Sequence, residues 1–71
     1  MTNTELLRKK IDDSGYKMAF IAEKCGLTHQ GFLNKLNNKT EFTMSEACIL
    51  RDLLNMTSEE FEAIFFASKV E

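Results

Sequence analysis

The chain has no proline and no tryptophan, and only three glycines, two cysteines and one histidine in 71 residues. The scarcity of proline and glycine argues against a loop-rich fold and suits helices joined by short turns. Two cysteines, Cys25 and Cys48, could form one bridge at most, which excludes a multi-disulfide scaffold. The favoured expectation is two small apolar side chains in a reducing compartment. With no second cysteine pair and no histidine at ligand spacing, no zinc site and no other metal or cofactor is expected. His29 has no serine, cysteine or carboxylate in a partner spacing, so the chain is not expected to be an enzyme. No apolar run approaches the roughly 18 residues that a membrane span needs. The opening Met1-Thr2-Asn3-Thr4-Glu5 carries an acid and no apolar run, so a signal peptide is not expected and the expected location is cytoplasmic.

What is present is enough for one domain over residues 1–71, with 44% apolar residues. A domain of this size buries only about 60% of the surface its unfolded chain exposes, so each apolar face must be used. The net charge is −2, but it is unevenly spread. Residues 1–40 hold seven bases against four acids, a balance of +3, and residues 41–71 hold two bases against seven acids, a balance of −5. Such a molecule can present its basic end to phosphates and keep its acidic end away, although a small helical protein can also be unevenly charged without consequence.

Three segments open with Thr-x-x-Glu: Thr2 to Glu5, Thr43 to Glu46 and Thr57 to Glu60. In this capping box the threonine hydroxyl accepts from the backbone three residues on and the glutamate reaches back to the threonine N–H. The first helix is expected from about Asn3 to Asp13, with Leu6, Leu7 and Ile11 on one face and Gly15 as its stop. A second is expected from about Lys17 to Cys25, since Met18, Ile21, Ala22 and Cys25 fall at i, i+3, i+4 and i+7. Gly26 stops it, and Thr28 can cap a third that runs through about Asn37 with Phe32 and Leu36 inward. After the polar loop 37–41, a fourth is expected over about Met44 to Leu54. It would bury Ala47, Leu50, Leu54 and Cys48, and Asn55 would stop it. A fifth over about Ser58 to Ala67 would bury Phe61, Ile64 and Phe65. Phe66 lies about 100° from Phe65 on an ideal helix. With Val70 it would form either a second apolar patch at an interface or a wider core.

The stretch Met18 to Asn38 carries the functional signal. Small Ala22 allows two helices to cross closely, Gly26 makes the turn between them, Leu27 plugs the angle, and Phe32 anchors the second helix from behind. The front face of that helix then holds Thr28, His29, Gln30, Asn34 and Lys35, polar side chains able to reach base edges and phosphates. Gln30 has a specific case, because its amide can pair bidentately with adenine, and Asn34 offers the same chemistry one turn on. The alternative for each is plain solvated surface.

The run Ile21-Ala22-Glu23-Lys24-Cys25-Gly26-Leu27-Thr28-His29-Gln30-Gly31-Phe32 resembles the lambda-repressor-like, or Xre/Cro, helix-turn-helix family. The following Asn34-Lys35-Leu36-Asn37-Asn38-Lys39-Thr40-Glu41-Phe42 resembles short phage regulators of Gram-positive hosts. The resemblance covers about residues 4–66. It implies an all-α, five-helix DNA-binding domain whose third helix enters the major groove of a double-stranded DNA operator, working in a bacterial host cell as a homodimer on a two-fold site. The DNA contacts implied are Lys17, Thr28, His29, Gln30, Asn34, Lys35, Asn38 and Lys39. Members usually begin the first motif helix with a phosphate-contacting glutamine, where this chain has Met18 beside Lys17. Many end the second with an apolar residue where this chain has Lys35. A second reading from a different class is an antirepressor that uses the same fold to bind a phage repressor protein; the acidic second half favours it.

Overall fold

Helix starts in this chain are written by short polar side chains, and the computed structural model, which describes residues 2–66, shows most of them in use. The described residues form five α-helices and no strand: α1 Thr4–Ser14, α2 Met18–Lys24, α3 His29–Leu36, α4 Met44–Leu53 and α5 Ser58–Phe65. Thr43 Oγ1 accepts from the Glu46 N–H at 3.1 Å while Glu46 Oε1 accepts from the Thr43 N–H at 2.9 Å. Thr57 and Glu60 repeat the arrangement at 3.1 and 2.9 Å. Thr28 Oγ1 accepts from the Gly31 N–H at 3.0 Å and so caps α3. Each such cap contributes typically about 1 kcal/mol.

The expected box at Thr2 and Glu5 does not form. Asn3 is the cap of α1 instead, with its Oδ1 accepting from the Leu6 N–H at 3.2 Å. Asparagine is a somewhat better cap than threonine. The Asn3 N–H also donates to the Ile64 carbonyl at 2.6 Å, which draws the start of the chain against α5 and buries Thr2.

Three helices stop in one way. The N–H of Leu27 donates to Ala22 O, that of Lys39 to Asn34 O and that of Met56 to Arg51 O, each at 2.9 Å. In each case the preceding residue is left-handed: Gly26 at φ +74°, Asn38 at +61° and Asn55 at +55°. This is the Schellman closure, which satisfies end carbonyls that the helix leaves open. Glycine adopts that conformation freely and asparagine tolerates it.

The core draws on all five helices: Leu7 and Ile11 from α1, Ile21 and Ala22 from α2, Phe32 and Leu36 from α3, Leu50 from α4 and Ile64 from α5, with Cys25, Leu54 and Met56 from the turns. Phe61 and Phe65, expected inside, are half-buried against this core, and two further residues also differ from expectation. Leu6 is exposed and lines an open groove with Lys9, Lys10, Asp13, Glu60 and Ala63. It sits about 100° around the helix from buried Leu7, which with Ile11 takes the inward face of α1. Cys48 is half-buried, being one position from Ala47, which takes the inward place. The two cysteines are free. Burial, with the Glu46 charge, pushes the Cys25 thiol up to about 11, against a smaller pull downward from Lys35.

Aromatic rings extend the core. Phe32 meets Phe42 edge-on at 5.9 Å, Phe42 meets Phe65 at 5.8 Å, and Phe61 meets Phe65 at 5.4 Å and Phe66 at 5.7 Å. Phe66 thus packs on Phe61; Val70, its suggested partner in an outer patch, lies outside the described residues. No helix among the described residues is long and apolar enough to cross a membrane.

Candidate nucleic-acid interface

The path from sequence to site runs through α2 and α3. Ala22 is 1% exposed, and its carbonyl receives the Leu27 N–H that closes the turn. With only a methyl at Ala22, α3 can lie close to α2. Leu27 packs against the core between the helices. Phe32 and Leu36, four apart on the back of α3, are 0% and 1% exposed. The front of α3 is left facing outward, with His29 and Gln30 exposed and Asn34 half-buried.

On that front, Gln30 Nε2 donates to Asn34 Oδ1 at 3.0 Å. The two side chains share one side of the helix, as their four-residue spacing requires. The bond uses one of the two Gln30 amide hydrogens. The other hydrogen and the Oε1 acceptor remain, which is the donor–acceptor pair that the adenine edge complements. Thr28 and His29 are exposed at the N-terminal end of α3. The Thr28 oxygen accepts the cap bond described above, and its hydroxyl hydrogen can still donate.

Asn38 and Lys39 are held at the other end of α3. The Asn38 N–H donates to Lys35 O at 3.1 Å and the Lys39 N–H to Asn34 O. Both side chains are exposed, and Asn38 has a structural task that its polar side chain did not advertise: it is the left-handed residue of the stop. Lys17 is separate from this group. It is the exposed N-cap of α2 and makes no side-chain cap bond.

Lys35 departs from the expectation that it faces outward. Its Nζ lies 2.8 Å from Glu46 Oε1 and 3.0 Å from Glu41 O, with side-chain exposures of 14% for Lys35 and 12% for Glu46. A partly desolvated carboxylate from α4 has drawn the ammonium off the front face. Burial resists the charge on Glu46, but hydrogen bonds from Lys35 and Thr43 hold its carboxyl below the usual range.

Arg8 was not signalled by the sequence. Its Nη2 donates to Asn37 Oδ1 at 2.8 Å across 29 residues of chain, which ties α1 to the C-cap of α3. Asn37 is exposed, and a guanidinium has further donors free for a phosphate. Among the described residues no three His, Cys, Asp or Glu side chains form a metal-binding group. Comparison of the chain with protein-family models, with curated proteins and with solved structures gave no match, so the reading of this site rests on its own residues.

Proposed function

We propose that the chain is a sequence-specific DNA-binding transcriptional regulator of the phage Cro/repressor type, in which α2 and α3 form a helix-turn-helix and α3 enters the major groove. The observation that carries this reading is the division of α3 into two faces. Phe32 and Leu36 are buried behind it, and the linked Gln30 and Asn34 amides stand in front. An outward pair of amides on a helix fixed from behind suits base-edge recognition, since each amide offers a donor and an acceptor at fixed spacing. Lys17, Lys39 and Arg8 supply phosphate contacts, which set register and orientation without reading sequence. Regulation is by occupancy, with a homodimer on a two-fold operator blocking or recruiting polymerase. No catalytic step or cofactor is part of this reading.

The acidic balance of residues 41–71 keeps one rival in the test, an antirepressor that binds a phage repressor protein. A titration with DNA from the chain's own genomic neighbourhood, with and without the neighbouring repressor, separates the two. The regulator reading expects binding whose log affinity falls linearly with log salt, with a shallow slope per subunit because few bases face the site. Absence of DNA binding at low salt, together with tight binding to the repressor, would establish the rival.

A further inference from the structure

Lys35 and Glu46 form an inward ion pair at the junction of α3, the loop 37–43 and α4. Three contacts converge on the lysine. Its Nζ donates to Glu46 Oε1 at 2.8 Å and to Glu41 O at 3.0 Å, and it lies 5.9 Å from the centre of the Phe42 ring. The same Glu46 oxygen accepts the Thr43 N–H at 2.9 Å and so closes the cap of α4. One carboxylate oxygen therefore serves both the start of α4 and the end of α3. The loop between them, which carries Asn38 and Lys39, is held at Glu41, at Phe42 and at its far end.

We propose that Lys35 is a positioning residue for DNA recognition: through Glu46 and the Glu41 carbonyl it fixes α3 and the 37–43 loop in their binding geometry, and it does not itself touch a phosphate. The proposal rests on the DNA-binding reading above. It follows from geometry. A lysine whose side chain is 14% exposed reaches a phosphate only by releasing a carboxylate that is itself nearly buried. Unpairing a desolvated charge is costly, so the pair persists when DNA arrives.

The two roles make opposite predictions for Glu46→Gln. If Lys35 were a phosphate contact, removing the negative charge that holds it would free the lysine and strengthen DNA binding. If Lys35 positions the loop, the same change weakens binding although the protein has become less acidic. The experiment measures the affinity of the full chain for its operator across a salt series, for the parent, Glu46→Gln, Lys35→Met, Lys35→Arg and Lys39→Ala, together with amide exchange over residues 38–42 without DNA. The expected result is an affinity loss of about tenfold for Glu46→Gln and Lys35→Met, with an unchanged salt slope and faster exchange in the loop. Lys35→Arg restores much of both. Lys39→Ala lowers the slope by about 0.9, as a phosphate contact should. Tighter binding by Glu46→Gln, or a slope reduced by about 0.9 in Lys35→Met, would overturn the proposal. So would affinity and exchange left at parent values in Glu46→Gln. Should Lys35→Met fail to fold, Glu46→Gln carries the test, because glutamine keeps the oxygen that caps Thr43. Failure of the parent to bind DNA would bring down the regulator reading, and this proposal with it; a parent that binds with an indifferent Glu46→Gln would bring down this proposal alone.

Discussion

The Gln30 side-chain amide donates to the Asn34 carbonyl oxygen at 3.0 Å, so two polar side chains on the outer face of α3 act as one unit. Each restricts the other's rotamers before any ligand arrives, which reduces the ordering cost of binding. This predicts non-additive effects. Asn34→Ala removes both its own contacts and the orientation of Gln30. In a double-mutant cycle on operator binding, Gln30→Ala and Asn34→Ala together should cost less than the two separate losses combined, by about 0.5–3 kcal/mol. Strict additivity would mean that the two amides act independently.

The turn between α2 and α3 predicts a graded series. A Cβ on Gly26 would meet nothing within 4 Å, yet the residue sits at φ +74°, so any penalty is conformational. Gly26→Val should destabilise by roughly 1–3 kcal/mol. Gly26→Asn should be much milder, since Asn38 and Asn55 already hold φ +61° and +55° in this chain. Ala22→Leu should cost roughly 1–3 kcal/mol by overpacking a residue that is 1% exposed. Thermal melts read all three, at about 4–8 °C per kcal/mol for a domain of this size. Equal melting of Gly26→Val and Gly26→Asn would contradict the conformational account.

Acid should unfold the protein through its capping glutamates. The Glu46 carboxyl is held below 4.5 by the bonds from Lys35 and Thr43, which outweigh burial. That of Glu60 is held below 4.5 by the Thr57 N–H and by Lys10, whose Nζ lies 3.1 Å away. A carboxyl with a depressed folded value stabilises fully above its unfolded value and loses that contribution as pH falls through the folded one. Melting temperature should therefore hold steady near neutrality and decline below about pH 4.5. Glu46→Gln should lower the neutral plateau and flatten the decline. A parallel decline in parent and variant would remove Glu46 from the explanation.

What could be read from sequence was local. The Thr43 and Thr57 boxes, the stops at Gly15, Gly26 and Asn55, and the inward Phe32 and Leu36 each follow from residues within four positions of one another. The departures came from partners distant in the chain. Thr2 lost its cap role because Asn3 is drawn to Ile64. Lys35 turned inward because Glu46, eleven residues on, waits there in a partly buried position. Arg8 gave no signal because its partner Asn37 lies 29 residues away. The outward amide pair was legible from spacing alone, but its hydrogen bond depends on rotamers that spacing does not set. Asn38 read as a polar loop residue, and its left-handed backbone emerges only from how α3 ends.

The central claim, that the outer face of α3 reads base pairs, is tested most directly by Gln30→Ala. The measurement is a binding titration of the parent, Gln30→Ala and Lys39→Ala on the operator and on each of its single-base variants. Gln30→Ala should lose about 1–3 kcal/mol on the preferred site and relax the preference at one base pair. Lys39→Ala should weaken all sequences about equally, because a phosphate contact carries no direct sequence information. Both variants should keep the parent's fold, since both side chains are exposed. If Gln30→Ala leaves affinity and base preference unchanged, α3 does not read DNA through this residue and the claim fails; if it instead abolishes binding to the neighbouring repressor, the surface recognises protein.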